Sequence, residues 1–434
     1  MPNRSPYAMM SVQDKNMVAF TCACSAILFF DFLIYLYLAD VISTTVFSAD
    51  VDKHFSQIQS LGLFAAGYLA RPLGGIFFGR FGDTLGRRPI FIATLMVTAG
   101  TMFAMALMPT YAEWGIAAPI LFITLRLIQG MAFGVFVPLS WIFVSEHLPR
   151  QYLTVGCSYV TASFLLGVLF SNAFFSWLTD TMSPEQLVSY GWRLPFMIAA
   201  LFSCLPLLGW RYIKESPYFL NMQKTMPNNY EPRPIRMLFT QCRQAIFVTM
   251  MLTLVTSSVT LVVVLIMPEL AIVNFPVDGD LFNFSHSLGL VFMMIGCVFY
   301  GVISSNSNFG KILMIGCLVL ILQIFAFFYQ MQAGGDYLLI MYALLGFSAG
   351  IIGMVPAVFV KLFSTNVRLT GLSIAYNVMY AFVGGVMPFV ISHFTDTVSF
   401  SAALYTAFIC VIGIIMGLYF YHLPEFKRID HVMR

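Results

Sequence analysis

Long apolar stretches separated by short polar segments recur about twelve times along the chain. Each has the roughly 20 residues that an α-helix needs to cross the hydrocarbon core of a bilayer. The first stretch is longer than the apolar part of a signal peptide and lacks a small-residue cleavage site, so we expect a retained helix. The pattern predicts transmembrane helices at 17–42, 56–79, 89–109, 116–145, 152–178, 191–212, 243–268, 284–305, 309–331, 336–362, 367–393 and 399–421.

The basic residues give these helices an orientation. With the amino terminus in the cytoplasm, only Lys53 and Arg193 of the 22 lysines and arginines fall in outer loops, and only Arg71 and Arg126 lie within spans. Short cytoplasmic loops of membrane proteins are enriched in these residues. The sequence therefore predicts a multi-pass membrane protein with both termini in the cytoplasm.

One long polar segment divides the chain near its middle. Residues 214–242 contain four prolines and an Asn-Asn pair, which is typical of a linker. We expect a cytoplasmic linker at 214–242 between a six-helix half at 1–213 and a second six-helix half at 243–434.

The two halves repeat a short motif. Gly130 and Gly134, followed by Pro138, correspond to Gly346 and Gly350, followed by Pro356. Parallel repeats of this kind occur in transporters, which handle their substrate near the bilayer midplane between the halves. The fold class predicted is an all-α membrane protein with twelve transmembrane helices in two pseudo-symmetric halves.

The composition excludes other classes of function. With 59% hydrophobic and 9% charged residues, the chain has too few polar side chains to cover a soluble domain, and a net charge of +3 gives nucleic acid no basic surface. Most of the eight cysteines lie in apolar stretches, which favours neither disulfides nor a metal site. No nucleophile with a base and no nucleotide-binding loop is present, so we expect no enzyme activity and no cofactor.

The segment between the second and third predicted helices carries an ordered motif of glycines and charges. Glycines allow a tight turn and a close approach of helices, and an acid with adjacent bases at the membrane edge can form charge pairs that break when the halves rock. A simple positive-inside anchor is the alternative, but it needs neither the glycines nor the acid. The motif consists of Gly79, Gly82, Asp83, Gly86, Arg87 and Arg88.

This motif is the loop signature G-x-x-x-D-x-x-G-R-[RK], and with it the chain resembles the major facilitator superfamily. Shorter matches resemble its metabolite:proton symporter family. They include Phe30-Asp31-Phe32, Ala70 to Gly75, Arg126 to Gly130 with Gln129, Trp192 to Phe196, Glu215-Ser216-Pro217 and Tyr376-Asn377. The resemblance implies a bacterial inner-membrane secondary transporter that moves a small organic solute with protons by alternating access.

The resemblance also implies roles for residues of the loop signature. Asp83, Arg87 and Arg88 would act in gating at the cytoplasmic face, with Glu146 and Glu215 as candidate partners. The sequence departs from the family in the fourth span, where Val135-Phe136-Val137 follow Gly134 and the usual acid is missing. Substrate and proton stoichiometry are therefore left open.

Asp31 and Arg126 are the candidates for proton coupling. An ionised carboxylate in a membrane interior costs about 2.5–3.5 kcal/mol, and a protonated one costs less, so an acid there can load and release a proton as its surroundings change. Related symporters pair such an acid with an arginine of the fourth helix. Arg126 could hold ionised Asp31 or bind a substrate carboxylate directly, and a structural ion pair is the alternative to both.

Several polar residues within the spans are candidates for substrate binding. Arg71 could contact the substrate or extend to the membrane interface. The two histidines near outer helix ends, His286 and His393, are expected to be solvated. The remaining candidates, for which helix–helix hydrogen bonding is the alternative, are Tyr35, Gln129, Tyr376 and Asn377.

These observations lead to one main hypothesis of function. We expect a monomeric, proton-coupled symporter that imports a carboxylate-bearing or zwitterionic metabolite, with protons and the lipid bilayer as its other partners and no nucleic acid. Proton-driven efflux of amphiphilic compounds is the first alternative, favoured by Phe136 and the methionine-rich spans. A membrane sensor that no longer transports is the second.

Overall fold

A computed structural model describes residues 9–47, 53–209, 213–225, 234–268, 270, 275, 278–334, 336–395, 398 and 400–426. The described elements are all helical. The long helices of the first half are α1 Val12–Tyr37, α2 Lys53–Thr84, α3 Arg87–Leu107, α4 Ala117–His147, α5 Leu153–Thr181 and α6 Arg193–Leu208.

The second half has a matching set of helices. Two of them change their helical type along their length: α7 continues as a π-helical segment, Leu261–Ile266, and α10 continues through a 3₁₀ turn, Gly350–Met354, into Pro356–Leu362. The long helices of this half are α7 Arg243–Thr260, α8 Gly279–Asn306, α9 Phe309–Gln332, α10 Leu338–Ala349, α11 Arg368–Thr395 and α12 Ser401–His422.

Shorter helices connect these long ones. Ala39–Thr45 follows α1, and Tyr111–Trp114 precedes α4. Pro184–Gln186 and the π-helical Leu187–Gly191 lead into α6. Within the predicted linker, the structure places Pro217–Thr225 and Pro234–Gln241, and residues 226–233 lie outside the described part. The division at 214–242 stays a prediction.

Ten helices among the described residues are long and apolar enough to cross a membrane, or eleven if the bent pair formed by Pro184–Gly191 and Arg193–Pro206 is one span. All ten correspond to predicted spans. The remaining predicted span, 56–79, lies in α2, which is long enough but is not among the ten.

The helices of the two halves pack in corresponding pairs. In the first half α1 packs on α5, α2 on α4, and α3 on α6; in the second, α7 packs on α11, α8 on α10, and α9 on α12. The halves meet through α2 against α11 and α5 against α8, which are again equivalent pairs. This pairing is that of two similar six-helix bundles related by a pseudo-two-fold axis.

The repeated glycines explain two of these pairs. A Cβ at Gly130 of α4 would meet the carbonyl oxygen of Gly67 in α2, and one at Gly346 of α10 would meet that of Gly289 in α8. Small residues let helix backbones approach closely in a membrane. The sequence repeat therefore marks the same close helix contact in each half.

Candidate functional site

A cavity lies between the two halves and is lined by residues of both. Its volume is about 50 Å³, and most of its wall is apolar. Among the described residues that line it, Arg71 is the one with a charge. Its polar lining residues are Tyr68, Arg71, Trp141, Thr161, Thr256, Thr260, Tyr376 and Tyr380.

Arg71 is buried, with 1% of its surface exposed, so it does not extend to the membrane interface. Its guanidinium carbon lies 4.5 Å from the ring centre of Tyr380 and 4.9 Å from that of Phe133, with Tyr68 and Tyr376 at 5.3 and 5.5 Å. Aromatic faces attract a buried cation. Arg71 Nη2 is buried without a hydrogen-bond partner, so it can donate to a ligand.

Asn377 positions this arginine. Its Oδ1 accepts a hydrogen bond of 3.0 Å from Arg71 Nε, and its Nδ2 donates to the carbonyl oxygens of Gly134 and Ser373. Both ends of the amide are thus engaged with protein groups. Tyr376 differs, because its ring lines the cavity and packs edge-on against Trp141 at 5.2 Å. Of the two neighbours, Tyr376 lines the cavity and Asn377 supports Arg71.

Asp31 lies on α1 and is fully buried. Its Oδ2 accepts a hydrogen bond of 2.6 Å from the hydroxyl of Ser203 on α6, and its Oδ1 has no hydrogen-bond partner. Burying an ionised carboxylate without an ion-pair partner costs free energy. Binding a proton or gaining a new hydrogen-bond donor would lower that cost.

Arg126, on α4, is also fully buried. Its Nη1 donates to Gln129 Oε1 at 2.8 Å, and its guanidinium lies over the rings of Tyr35 and Phe32 at 4.3 and 5.0 Å. Its Nε and Nη2 have no hydrogen-bond partner. In the part of the chain that the structure describes, Asp31 and Arg126 form no ion pair with each other. The structure thus places both groups in the interior of the first half without bringing them into contact.

Two stacked rings separate the two intramembrane arginines. The rings of Phe32 and Phe133 are parallel within 16°, with centres 4.1 Å apart. The guanidinium of Arg126 lies over Phe32, and that of Arg71 lies over Phe133. The cavity arginine and the candidate coupling arginine are therefore connected through one aromatic column.

A buried charge cluster joins the helix ends at the face that carries the loop signature. Glu146 on α4 is its centre: its carboxylate lies 3.3 Å from Arg87 Nε and 2.7 Å from Arg368 Nη1, and Ser216 donates a hydrogen bond to it. Arg87 Nη2 also donates to the carbonyl oxygen of Thr365 at 2.6 Å. Because Glu146 and Arg87 belong to the first half and Arg368 and Thr365 to the second, the cluster holds the halves together.

Asp83 makes a second connection between the halves. Its carboxylate accepts hydrogen bonds from the backbone N–H groups of Leu369 and Thr370 at 3.1 and 2.8 Å, and from the Thr370 hydroxyl at 2.7 Å. These groups are in the first turn of α11, where a negative charge is favourable. Asp83 also lies 3.3 Å from Arg87 Nη1.

Glu215 and three glycines of the loop signature also lie at this face. Glu215 accepts hydrogen bonds from the backbone N–H groups of Arg87 and Arg88 at the start of α3, at 2.9 and 3.2 Å. Gly86 has a φ of 117°, which only glycine adopts readily, and its missing side chain leaves room for Glu215. Gly79 and Gly82 face Thr370 and Leu369 of α11 in the same way.

The expectation that His286 is solvated is wrong. This residue is 2% exposed, and its Nδ1 lies 2.8 Å from the hydroxyl of Tyr342, which donates to the carbonyl oxygen of Val263 at 2.8 Å. These two hydrogen bonds join α8, α10 and the π-helical segment of α7. A π-helical turn leaves carbonyl groups without their usual partner, and Tyr342 supplies one. His393 is exposed, as expected.

Sequence reasoning missed several residues of these sites. Ser203 could not be found, since a serine in an apolar helix gives no sign of its partner. Tyr68 lies one helical turn before Arg71, and Tyr380 lies one turn after Tyr376. That spacing places each on the same helix face as a predicted site residue, so it could have been used to find them. Among the described residues, no three His, Cys, Asp or Glu side chains come together as metal ligands.

Two helical bundles around a central cavity, with the halves joined by breakable ion pairs at one face, define a membrane transport protein. The chain belongs to the Major Facilitator Superfamily, whose model matches residues 19–388. This membership establishes a multi-pass membrane transporter of small molecules and not an enzyme.

The chain is also similar in sequence to known transporters. The inner membrane metabolite transport protein YhjE of Escherichia coli is 28% identical, with 88% of each chain covered. A putative proline/betaine transporter of Staphylococcus aureus is 25% identical, covering 94% of this chain and 88% of its own. The shikimate transporter of Escherichia coli is 25% identical, with 90% of both chains covered.

Solved structures show the same fold. The proton:xylose symporter XylE matches with a TM-score of 0.75 at 15% identity, covering 97% of this chain and 99% of that one. FucP in its outward conformation matches with a TM-score of 0.65 at 18% identity, covering 93% and 99%.

Proposed function

We propose that the protein is a proton-coupled symporter of a bacterial inner membrane that imports a small solute bearing a carboxylate, by alternating access and as a monomer. The observation that carries the proposal is Arg71, a buried cation with an unpartnered donor on the wall of the cavity between the halves.

The surroundings of Arg71 favour a carboxylate as its ligand. A guanidinium presents a planar fork of donors that matches a carboxylate. Shikimate, proline and betaine, after which relatives of this chain are named, all carry that group. The aromatic rings around Arg71 would contact the rest of the solute, and the cation–π attraction of those rings would also suit the quaternary ammonium group of a betaine.

Asp31 is the proposed proton carrier and Arg126 its counter-charge. Both are fully buried, and both have unpartnered polar atoms, so each can accept a new partner without breaking an ion pair. A proton on Asp31 removes the cost of its buried charge. When Asp31 is deprotonated, the free donors of Arg126 can stabilise the carboxylate.

The charge cluster around Glu146 is the proposed cytoplasmic gate. Its ion pairs span the two halves and are buried, so the face that carries them is closed in this structure. Rocking of the halves must break the contacts of Arg368 with Glu146 and of Asp83 with α11. Substrate and proton bound together would supply the free energy for that change.

Uptake into proteoliposomes tests the proposal. We expect radiolabelled shikimate, proline or glycine betaine to accumulate under an imposed pH gradient, acid outside. Asp31→Asn should lose accumulation but retain exchange of labelled for unlabelled solute, because exchange needs no net proton movement. Asp40→Asn is the control, since Asp40 is an exposed acid beyond the end of the same helix.

Two outcomes would overturn the proposal. One is that no solute in a broad panel of organic acids and zwitterions accumulates in response to the pH gradient. The other is unchanged accumulation by Asp31→Asn.

The alternative function is proton-driven efflux of amphiphilic compounds. The aromatic and aliphatic lining of the cavity favours it, because such a lining would contact the apolar part of these compounds. Expulsion of a lipophilic cation dye from cells that express the protein would favour it. Arg71 argues against a cationic substrate, because a second positive charge in the cavity would be repelled.

A further inference from the structure

Ser203 is the hydrogen-bond partner that Asp31 has in this structure, and it was not among the predicted site residues. Its hydroxyl is completely buried and lies 2.6 Å from Asp31 Oδ2. The bond joins α1 to α6, two helices of the same half, so rocking of the halves does not have to break it.

In the part of the chain that the structure describes, Asp31 and Arg126 do not pair with each other. Asp31 Oδ1 and Arg126 Nε and Nη2 are unpartnered although all three atoms are buried. Arg126 instead lies over the ring of Tyr35, one helical turn after Asp31 on the same helix. The carboxyl group is thus bonded to the hydroxyl of Ser203 on α6, and within the described ranges it forms no ion pair with the guanidinium of Arg126 on α4.

We propose that Ser203 is a positioning residue for proton coupling, which holds the Asp31 carboxyl group on the α6 side while Arg126 is unpaired. This inference rests on the proposed function, in which Asp31 carries the proton. By donating to the ionised carboxylate, the hydroxyl of Ser203 makes the loss of the proton from Asp31 easier. Of the described helices packed against α1, α6 contributes the neutral Ser203, α5 contributes the neutral Ser171, which bonds to the carbonyl oxygen of Phe30, and α4 contributes Arg126, whose guanidinium lies over Tyr35 of α1.

Infrared titration of the full chain in lipid nanodiscs tests this without knowledge of the substrate. The C=O band of protonated Asp31 is identified as the band that Asp31→Asn lacks, and its intensity is followed against pH. A hydrogen bond to a charged carboxylate stabilises the ionised form, so it lowers the midpoint of the titration by about one pH unit or more. We expect the midpoint of this band in Ser203→Ala to move to higher pH by about one unit.

Two variants separate positioning from a structural role. Ser203→Thr retains the hydroxyl and should restore the wild-type midpoint. Ser171→Ala is the matched control, because this buried serine also bonds to α1, donating to the carbonyl oxygen of Phe30 at 3.1 Å, but does not touch the carboxyl group. It should leave the midpoint unchanged even if it lowers thermal stability.

The possible results distinguish this inference from the proposed function. An unchanged or lowered midpoint in Ser203→Ala, or a failure of Ser203→Thr to restore it, would overturn the role of Ser203 and leave Asp31 as the carrier. If wild type has no titrating band that Asp31→Asn removes, Asp31 is not the carrier and both ideas are wrong.

Discussion

Arg71 and Arg126 are stabilised by the same means although only one of them faces the cavity. Each is buried, each has one side-chain amide as hydrogen-bond partner, and each lies over aromatic rings. Cation–π contacts of desolvated groups contribute up to about 2 kcal/mol, which helps to offset burial of the charge. A carboxylate would bind most strongly at the donors of each arginine that have no hydrogen-bond partner.

Exchange of Arg71 for lysine tests this at the level of one residue. Arg71→Lys retains the charge but loses the planar fork and its hydrogen bond to Asn377, so we expect the KM for a carboxylate solute to rise about tenfold or more. The measurement is initial uptake rate against solute concentration at fixed pH. Arg193→Lys, whose arginine bonds only to backbone carbonyls outside the cavity, should keep the wild-type KM.

The predicted site residues differ in how far the sequence determined them. An acid or an arginine inside an apolar helix is conspicuous because burying it is costly, so Asp31, Arg71 and Arg126 could be selected from the sequence. Their partners could not, because which helix faces them depends on packing. The separation of Asp31 from Arg126 and the supporting position of Asn377 needed coordinates for the same reason.

Helix positions were predicted well and helix interiors less well. Apolar length fixes where a chain crosses a membrane, so the predicted spans and the described helices coincide to within a few residues at most ends. It does not determine local changes such as the π-helical segment at Leu261–Ile266 or the 3₁₀ turn at Gly350–Met354. These depend on neighbours, as the hydrogen bond from Tyr342 to Val263 illustrates.

The glycine contacts give a prediction for elements. Gly130→Ala and Gly346→Ala each place a Cβ against a carbonyl oxygen of the facing helix, so each should destabilise its half by about 1–3 kcal/mol. Thermal unfolding in detergent measures this. Gly100→Ala on α3 is the control, because nothing lies within 4 Å of its Cβ position. Equal stability of all three variants would contradict the proposed close packing.

At the scale of the whole molecule, one face is held by charges and the cavity behind it is mostly apolar. Removing one partner of a buried ion pair leaves the other uncompensated, which costs about 3–5 kcal/mol. Glu146 has two such partners, one from each half. Its loss should therefore shift the conformational equilibrium and not only lower stability.

Glu146→Gln is expected to open this face. The reporter is Thr161→Cys, which places a thiol in the cavity wall, in a background whose eight native cysteines are replaced. In vesicles of known orientation, we expect a membrane-impermeant maleimide to label this thiol from the cytoplasmic side at least tenfold faster when Glu146→Gln is present. An unchanged rate would mean that the cluster does not determine which side is open.

The two halves contribute unequally to the cavity. The second half supplies Thr256, Thr260, Phe359, Tyr376 and Tyr380 to its wall but no charged side chain, whereas Arg71, Asp31 and Arg126 all belong to the first. Under the proposed function, the charged groups for coupling and carboxylate binding all lie in the first half, and the second half adds aromatic rings and hydroxyl groups to the cavity wall. We therefore expect mutations in the second half to change which solute is carried and to leave the coupling ion the same.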